Sequence, residues 1–358
     1  MFFLFFGILL ALFQLLLFYN FYWKRRHLPP GPTPLPIVGN LLELGKKPPG
    51  YDIFLKWREE YGPIYTYWVG EQPMVAFTEY SLINETIVKD GDNYTDRDFF
   101  QDFYTLARGK NGLVHMISHL DLCVGSIINS LLFEIFLEVQ RKIMRTYAFF
   151  KKQIEEHEND GEYLGDEHNI NLFLSMETLY AHLLDFWIAG QETTTDTLNW
   201  GIIHIIYNMN VQDKLHKELD SEIMRISNVL PQNLARRTVQ DVNVRGHLLR
   251  KGTSIQPLIS CVLYDENIFP NSRQFLPERF LNENGTLKRF DEFIPFSIGK
   301  RFCAGESLAR TELFLIFVNL FNQYEYSEMP SKQQNFGLSV VPLPYKCQIR
   351  KRFDSQKE

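Results

Sequence analysis

The chain has 358 residues, 45% of them hydrophobic and 30 of them Phe, enough apolar mass for one large domain or two ordinary ones. A formal net charge of −6 argues against a polyanion-binding surface, so nucleic acid is not an expected partner. Four cysteines, Cys123, Cys261, Cys303 and Cys347, lie far apart with no C-x-x-C pair, a pattern that suits a reducing compartment better than a disulfide framework.

Phe2 to Trp23 is an almost wholly apolar run, with Gln14 and Asn20 its only amide side chains, and Lys24-Arg25-Arg26-His27 follows at once. About twenty such residues span a bilayer as a helix, and a basic cluster after the span puts the rest of the chain in the cytosol. The rival is a cleaved signal peptide. The run is long, has no charged residue before it and ends in no A-x-A-like site, which favours an anchor that stays. The expected organisation is a transmembrane anchor over 1–23, a basic and proline-rich hinge over 24–36 and one domain over 37–358. Sequons at Asn84, Asn93 and Asn284 are then chance matches on the cytosolic side. Within the hinge, Leu28-Pro29-Pro30-Gly31-Pro32-Thr33-Pro34-Leu35-Pro36 can form neither helix nor central strand and predicts an extended spacer.

Tyr51 to Tyr61 predicts a short amphipathic helix ended by Gly62-Pro63. Ile64 to Val69 and Met74 to Phe77, separated by Gly70-Glu71-Gln72-Pro73, predict a hairpin, and Glu79 to Lys89 a return to helix. Gly91 to Gly112 reads as loop. Ile117 to Phe136 and Gln140 to His157 read as helices joined almost directly, followed by an acidic loop from Glu155 to Gly165. Leu172 to Met209 is the longest helical pattern, interrupted at Ala189-Gly190-Gln191-Glu192-Thr193-Thr194. Glycine costs about 1 kcal/mol against Ala in a helix, and Thr hydroxyls bond back to the turn above, so a local widening is expected there. Val211 to Leu219 reads as a charged surface helix, after which Glu222 and Arg225 stand three apart on one helical face. On a surface such a pair is worth only about 0.3–0.5 kcal/mol. Pro231 to Asp241 predicts a turn into strand, Gly246 to Ser260 more strand, and Phe336 to Ile349 a closing hairpin.

The chemistry concentrates in Phe296-Ser297-Ile298-Gly299-Lys300-Arg301-Phe302-Cys303-Ala304-Gly305. A thiol ligates a metal only as thiolate, a form favoured by cationic neighbours, backbone N–H donors and a helix N-terminus. Lys300, Arg301 and a helix starting just after Cys303 can supply these. Gly299 opens backbone angles closed to other residues, and Gly305 allows close approach of a flat partner. Zinc needs several N or S ligands, and no second Cys or His lies near. Haem brings four ligands of its own and asks the protein for one. Read singly, a cysteine is more often a small buried hydrophobe than a ligand.

The ten-residue spacing F-x-x-G-x-R-x-C-x-G resembles the haem-binding signature of the cytochrome P450 family, complete from Phe296 to Gly305. Three further elements agree with the family in the right order: A-G-x-E-T at Ala189–Thr193, E-x-x-R at Glu222–Arg225 and P-E-R-F at Pro277–Phe280. The resemblance implies a mainly α fold with a small β-region, and haem b (iron protoporphyrin IX) as cofactor. It implies Cys303 as the iron ligand, with Phe296, Gly299 and Gly305 shaping the ligand loop and Arg301 and Arg236 holding the propionates. Glu192 and Thr193 would orient water and relay protons on the oxygen side, where a positioned hydroxyl or carboxyl is needed. Glu222, Arg225 and Arg279 would form a buried triad that fixes the cysteine loop.

The same resemblance implies a monooxygenase of the endoplasmic reticulum membrane. NADPH-cytochrome P450 reductase would be its electron donor and cytochrome b5 a second one, with O2 and a small apolar molecule as substrates. Three departures stand beside it. No Trp is followed four residues later by Arg, so the W-x-x-x-R element of the family is missing. Asp220-Ser221 joins the charged helix directly to E-x-x-R, where the family has a connecting segment, and the segments that roof the substrate pocket look absent between the helices near 137. A catalytically impaired haem binder or non-functional truncated form is therefore the alternative.

Overall fold

In the computed structural model, residues 2–46, 51–97, 148–149, 152, 156, 176–209, 217–327, 330–335 and 339–352 are described. The expected loop to Gly112, the two helices from 117 to 157 and the acidic loop lie mostly outside them. The chain divides into two compact units, one of residues 1–98 with 193–358 and one of 99–192. The elements that follow belong to the first unit except where stated.

Helix α1 (Phe2–Phe21) is uninterrupted and, at 20 residues, rises about 30 Å. Counting only residues described with their side chains, no helix is long and apolar enough to cross a membrane. The C-terminal end of α1 is tied down. Asn20, buried, donates from Nδ2 to the Pro34 carbonyl (2.9 Å), and Arg25 donates to the Gly31 carbonyl (2.8 Å). Lys24 Nζ pairs with Glu71 (2.7 Å), whose other carboxylate oxygen takes the backbone N–H of Ile37. The Lys24 hydrogen bond holds the Glu71 carboxyl below its usual range. Lys24 and Ile37 are thus both pinned to Glu71 of the first hairpin's turn.

After α2 (Leu41–Lys46) comes α3 (Tyr51–Tyr61), which stops where Gly62 turns to φ +92° before Pro63. Its inner face sets Phe54 and Trp57 against Tyr65 and Tyr67 of the next strand, with ring centroids 5.2–6.1 Å apart. Strands β1 (Ile64–Val69) and β2 (Gln72–Phe77) pair antiparallel about a two-residue turn with Gly70 at φ +60°. The second strand begins two residues earlier than its sequence suggests, because Pro73 sits opposite Trp68 within the ladder.

The segment expected as one helix to Lys89 divides into α4 (Tyr80–Ile83) and a π turn over Asn84–Val88. Thr86 Oγ1 bonds back to the Leu82 carbonyl (2.7 Å), the kind of side-chain bond that competes with the main-chain ladder. A two-residue strand β3 (Asp96–Arg97) follows.

Helix α5 (Met176–Ile206) crosses from one unit into the other and runs 31 residues as unbroken α-helix. This corrects the expected widening at Ala189–Thr194. The hydroxyl of Thr197 accepts its place in the helix by bonding to the Thr193 carbonyl (2.8 Å), and the small local cost of Gly190 is outweighed along so long an element. Helix α6 (Lys217–Ser227) runs straight through Asp220-Ser221 into Glu222.

Strands β4 (Arg236–Arg237), β5 (Val242–Val244), β6 (His247–Leu249) and β7 (Ser254–Pro257) follow, then the short α7 (Ile259–Leu263). The main sheet has the order β1-β2-β7-β4-β3, with β2 and β7 parallel and the other pairs antiparallel. One core lies on this sheet, around Val75, Phe77, Ile87, Ile255 and Ile259.

Helix α8 (Glu306–Gln323) buries Leu313, Phe317 and Phe321, one stripe at spacing four, against α6 and the second half of α5. At the crossing with α5, a Cβ on Gly201 would stand 2.3 Å from Phe317 Cζ, so only glycine admits this approach. The closing hairpin predicted over Phe336–Ile349 is instead two separate pairs. Strand β8 (Tyr324–Ser327) takes β11 (Gln348–Lys351), and β9 (Gln334–Asn335) takes β10 (Val341–Pro342). The C-terminal segment is fixed by long-range bonds to α5, Trp200 Nε1 to the Val340 carbonyl (2.7 Å) among them.

Candidate active site

The loop before α8 makes two left-handed bends one residue apart. Ser297 has φ +64°, Ile298 is extended, and Gly299 has φ +77°. A Cβ at Gly299 would meet the Ile87 carbonyl oxygen at 2.3 Å, so glycine is required there by both angle and space. A single 3-10 turn over Gly299–Arg301 follows, and the Cys303 N–H closes the loop on the Phe296 carbonyl (3.0 Å).

Cys303 is a free, exposed thiol. Its carbonyl accepts from Glu306 N (3.3 Å) and Gly305 occupies the cap of α8, so the thiol stands at the positive end of an 18-residue helix. A Cβ on Gly305 would come 3.9 Å from Cys303 Sγ, beside the direction from which the sulfur must be reached.

Two sets of contacts hold the loop. On one side Lys300 pairs with Asp92, and Arg301 donates from Nε and Nη2 to the Thr95 carbonyl (3.0 and 2.7 Å). On the other, Arg236 of β4, 2% exposed, donates from Nη2 to Ser297 Oγ (3.2 Å) and to the Ile298 carbonyl (3.1 Å).

Glu222, Arg225 and Arg279 meet in one cluster. Arg225 grips Glu222 through Nε–Oε2 and Nη2–Oε1, both 2.7 Å, and both side chains are fully buried. Arg279 Nε lies 3.2 Å from the same carboxylate, which also takes the Leu276 N–H (3.0 Å). The remaining guanidinium hydrogens go to carbonyls: Arg225 to Leu263 (2.9 Å), Arg279 to Pro270 (2.8 Å) and Asn271 (3.1 Å). Burial lowers the Arg279 guanidinium from its ordinary range against the pull of Glu222. Aromatic packing continues from the cluster's neighbours towards the cysteine loop. Phe280, next to Arg279, stands edge-on to Phe293 (5.0 Å), and Arg310 of α8 lies over both Phe293 and Phe296 (5.4 and 4.8 Å).

Glu192 and Thr193 occupy successive positions of α5, Glu192 exposed and Thr193 half-buried, at the point where one compact unit gives way to the other.

Three residues that sequence reasoning passed over complete the surroundings. Asn233, at φ +60°, donates from Nδ2 to Ser297 Oγ (2.8 Å). Ser297 itself occupies a left-handed conformation that carries no signature in a serine. Gly201 sets the distance between α5 and α8. Only its helical position, next to Trp200 and one turn before Ile205, hinted at a packing role.

The donor set fits a thiolate-ligated haem: one accessible sulfur at a helix N-terminus, flanked by glycines, with Arg301 and Arg236 close by in the chain fold. A cytochrome P450 family model matches residues 29–119, 124–221 and 221–349. Curated relatives include cytochrome P450 2C23 of Rattus norvegicus, 27% identical, and cytochrome P450 2C44 of Mus musculus, 26% identical, each over 90% of this chain and 93% of the relative. Cytochrome P450 2A11 of Oryctolagus cuniculus is 25% identical over 90% of the chain and 94% of its own length. The alignment to the first two runs over 463 positions against a chain of 358 residues, so at least 105 positions (463 less 358) face no residue here. One break in the family match falls at Ser221, inside the continuous helix α6. The chain belongs to the cytochrome P450 family, whose members are oxidoreductases of the monooxygenase kind.

Proposed function

We propose that this protein is a membrane-anchored haem-thiolate monooxygenase that places one oxygen atom of O2 into a small apolar substrate. The observation that carries the reading is Cys303: an accessible thiol at the head of α8, on a loop whose other members are all held in place. Haem b bound there would supply dioxygen binding and activation. Cys303 would ligate the iron, while Arg301 and Arg236 would face the propionates. Phe296, Gly299 and Gly305 set the shape of the loop, and the Glu222–Arg225–Arg279 cluster fixes the ground on which it stands. Glu192 and Thr193 would hold and pass protons from α5. Electrons would come from NADPH through cytochrome P450 reductase, with cytochrome b5 as a second donor.

The same reading takes 1–23 as an anchor in the endoplasmic reticulum membrane, 24–36 as the hinge and 37–358 as a shortened catalytic domain on the cytosolic side. In its support, α1 is long enough to span, and Asn20, Lys24 and Arg25 fix its end to the hinge and the first hairpin. Removing residues 1–23 should release the protein from membranes; retention would point to a second apolar docking surface.

A second reading is favoured by the more than one hundred relative positions without a counterpart and by the missing W-x-x-x-R element. On that reading the chain binds haem and does not turn over. The test is in two steps. Purified protein, reduced and exposed to carbon monoxide, should show the thiolate-type Soret shift; its absence rules out both haem readings, and Cys303→Ala should abolish it. Consumption of NADPH with added reductase then separates enzyme from passive binder.

A further inference from the structure

The left-handed bend at Ser297 is the least expected feature of the cysteine loop, and it is the point at which side chains from outside the loop converge. An L residue with a side chain resists φ +64°, so the conformation persists only where its surroundings impose it. Here the imposing contacts come from the segment leading into β4. Asn233 Nδ2 (2.8 Å) and Arg236 Nη2 (3.2 Å) both donate to the one Ser297 hydroxyl oxygen, and the same Arg236 nitrogen reaches the Ile298 carbonyl (3.1 Å).

The donors are themselves fixed. Asn233 is also left-handed, its Oδ1 takes the Leu234 N–H (2.7 Å), and its carbonyl takes a bond from Gln256 Nε2 (3.0 Å) on β7. Arg236 and Gln256 are buried, and Arg236 sits opposite Ile255 in the sheet. From Ser297 the path to the ligand is short. The residue before it, Phe296, accepts the Cys303 N–H, so the direction of the Phe296 carbonyl, set by the bend, decides where Cys303 stands.

We propose that Asn233 and Arg236, acting through the Ser297 hydroxyl, are positioning residues that lock the loop in the conformation presenting the Cys303 thiol for ligation. The inference rests on the haem-thiolate reading for its second half only, because the lock itself is a property of the chain without cofactor.

The test uses the full chain in detergent, haem-free and haem-loaded, with Ser297→Gly and Asn233→Ala. Glycine removes the hydroxyl and relieves the backbone at once, so Ser297→Gly cannot act by adding strain. In the haem-free protein the Cys303 amide should exchange hydrogen at least about tenfold faster in Ser297→Gly, which loses the charge-assisted bond from Arg236, and about threefold faster in Asn233→Ala, which loses one neutral bond. The Phe317 amide in α8 should be unchanged. The double variant should match Ser297→Gly within about twofold, since loss of the Ser297 hydroxyl already removes the one contact that Asn233→Ala breaks. Asn233→Asp, in which the serine hydroxyl turns donor, should restore slow exchange.

In the haem-loaded protein the same two variants should lose a larger share of the thiolate-type carbon monoxide band than wild type on standing. Unchanged Cys303 exchange in Ser297→Gly overturns the lock. So does equal acceleration at Cys303 and Phe317, which marks general loosening. Faster exchange with an undiminished thiolate band overturns the positioning role. Should wild type itself show no thiolate band, the haem reading fails, and the exchange data still decide the lock.

Discussion

The cysteine loop and the second half of α5 are held by different forces. The loop is held by polar contacts: Ser297, Ile298, Lys300 and Arg301 each bond to another segment, and the buried Glu222 carboxylate carries two guanidiniums beneath them. Helix α5 is held by shape. Gly201 lets Phe317 in, the His204 ring stacks on Phe275 at 5.2 Å, and Trp200 buries its ring and bonds to Val340. A polar brace fixes direction, which a metal ligand needs, and fails sharply when one member is removed. A steric brace fixes distance and yields by degrees.

The sharpest way to break that comparison is in the cluster below the loop. Arg225→Ala would leave the buried Glu222 with only the Arg279 Nε and the Leu276 N–H as partners, and removal of one member of a buried pair costs about 3–5 kcal/mol. Glu222→Gln would leave two guanidiniums over a neutral amide and should cost nearly as much. Urea unfolding of the haem-free chain should show both losses. A cost under about 1 kcal/mol for Arg225→Ala, the range of exposed pairs, would mean the cluster is not the brace described.

The histidine of the steric brace makes a pH test. His204 is buried, its Nδ1 has no hydrogen-bond partner among the described residues, and burial, then the charges of Lys332 and Arg225, hold it down to about 3. In the unfolded chain an imidazole takes its proton near 6.5. Between these values only the unfolded chain binds the proton, so stability is full above about 6.5 and falls as the pH drops towards 3, by about 1.4 kcal/mol per unit. From pH 7 to 5 the chain should lose about 2 kcal/mol through this group. His204→Phe, which keeps the stack on Phe275, should remove that part of the slope; an unchanged slope would place its origin elsewhere.

At Gly201 the expected effect is smaller. An added methyl drives into Phe317, and overpacking of this kind costs typically about 1–3 kcal/mol as side chains leave their rotamers. Gly201→Ala in a Phe317→Leu background should cost less than in wild type, a coupling that a double-mutant cycle reads directly.

What the sequence disclosed divides along the same line. Patterns whose cause is local were legible: the apolar run that becomes α1, the stop at Gly62-Pro63, the hairpin about Gly70, and the need for glycine at 299. The spacing of Glu222 and Arg225 marked a shared face, but burial, which turns a weak surface pair into a brace, depends on Leu263, Pro270 and Asn271 arriving from elsewhere. The strand pairing of the C-terminal segment was misplaced because β11 finds β8, beyond the reach of turn signals. Ser297 was missed because serine does not announce a left-handed backbone, and Asn233 because its partner Ser297 lies 64 residues away in sequence.

The unbroken α5 leads to the smallest expected effect. Residue-by-residue propensity called for a disturbance at Gly190 to Thr194, and the helix shows none. If these residues serve only the helix, replacing them should matter little for stability and nothing else. Glu192 is exposed, and exposed substitutions fall within about 0.5 kcal/mol. Glu192→Gln should therefore leave the urea midpoint of the haem-free chain in place. On the proposed function it should still slow NADPH-dependent product formation, and raise the fraction of NADPH consumed without product, because its role is to hold a proton. A variant with unchanged stability and unchanged coupling would strip α5 of its chemical part and leave it as a scaffold for the region that carries the cysteine loop.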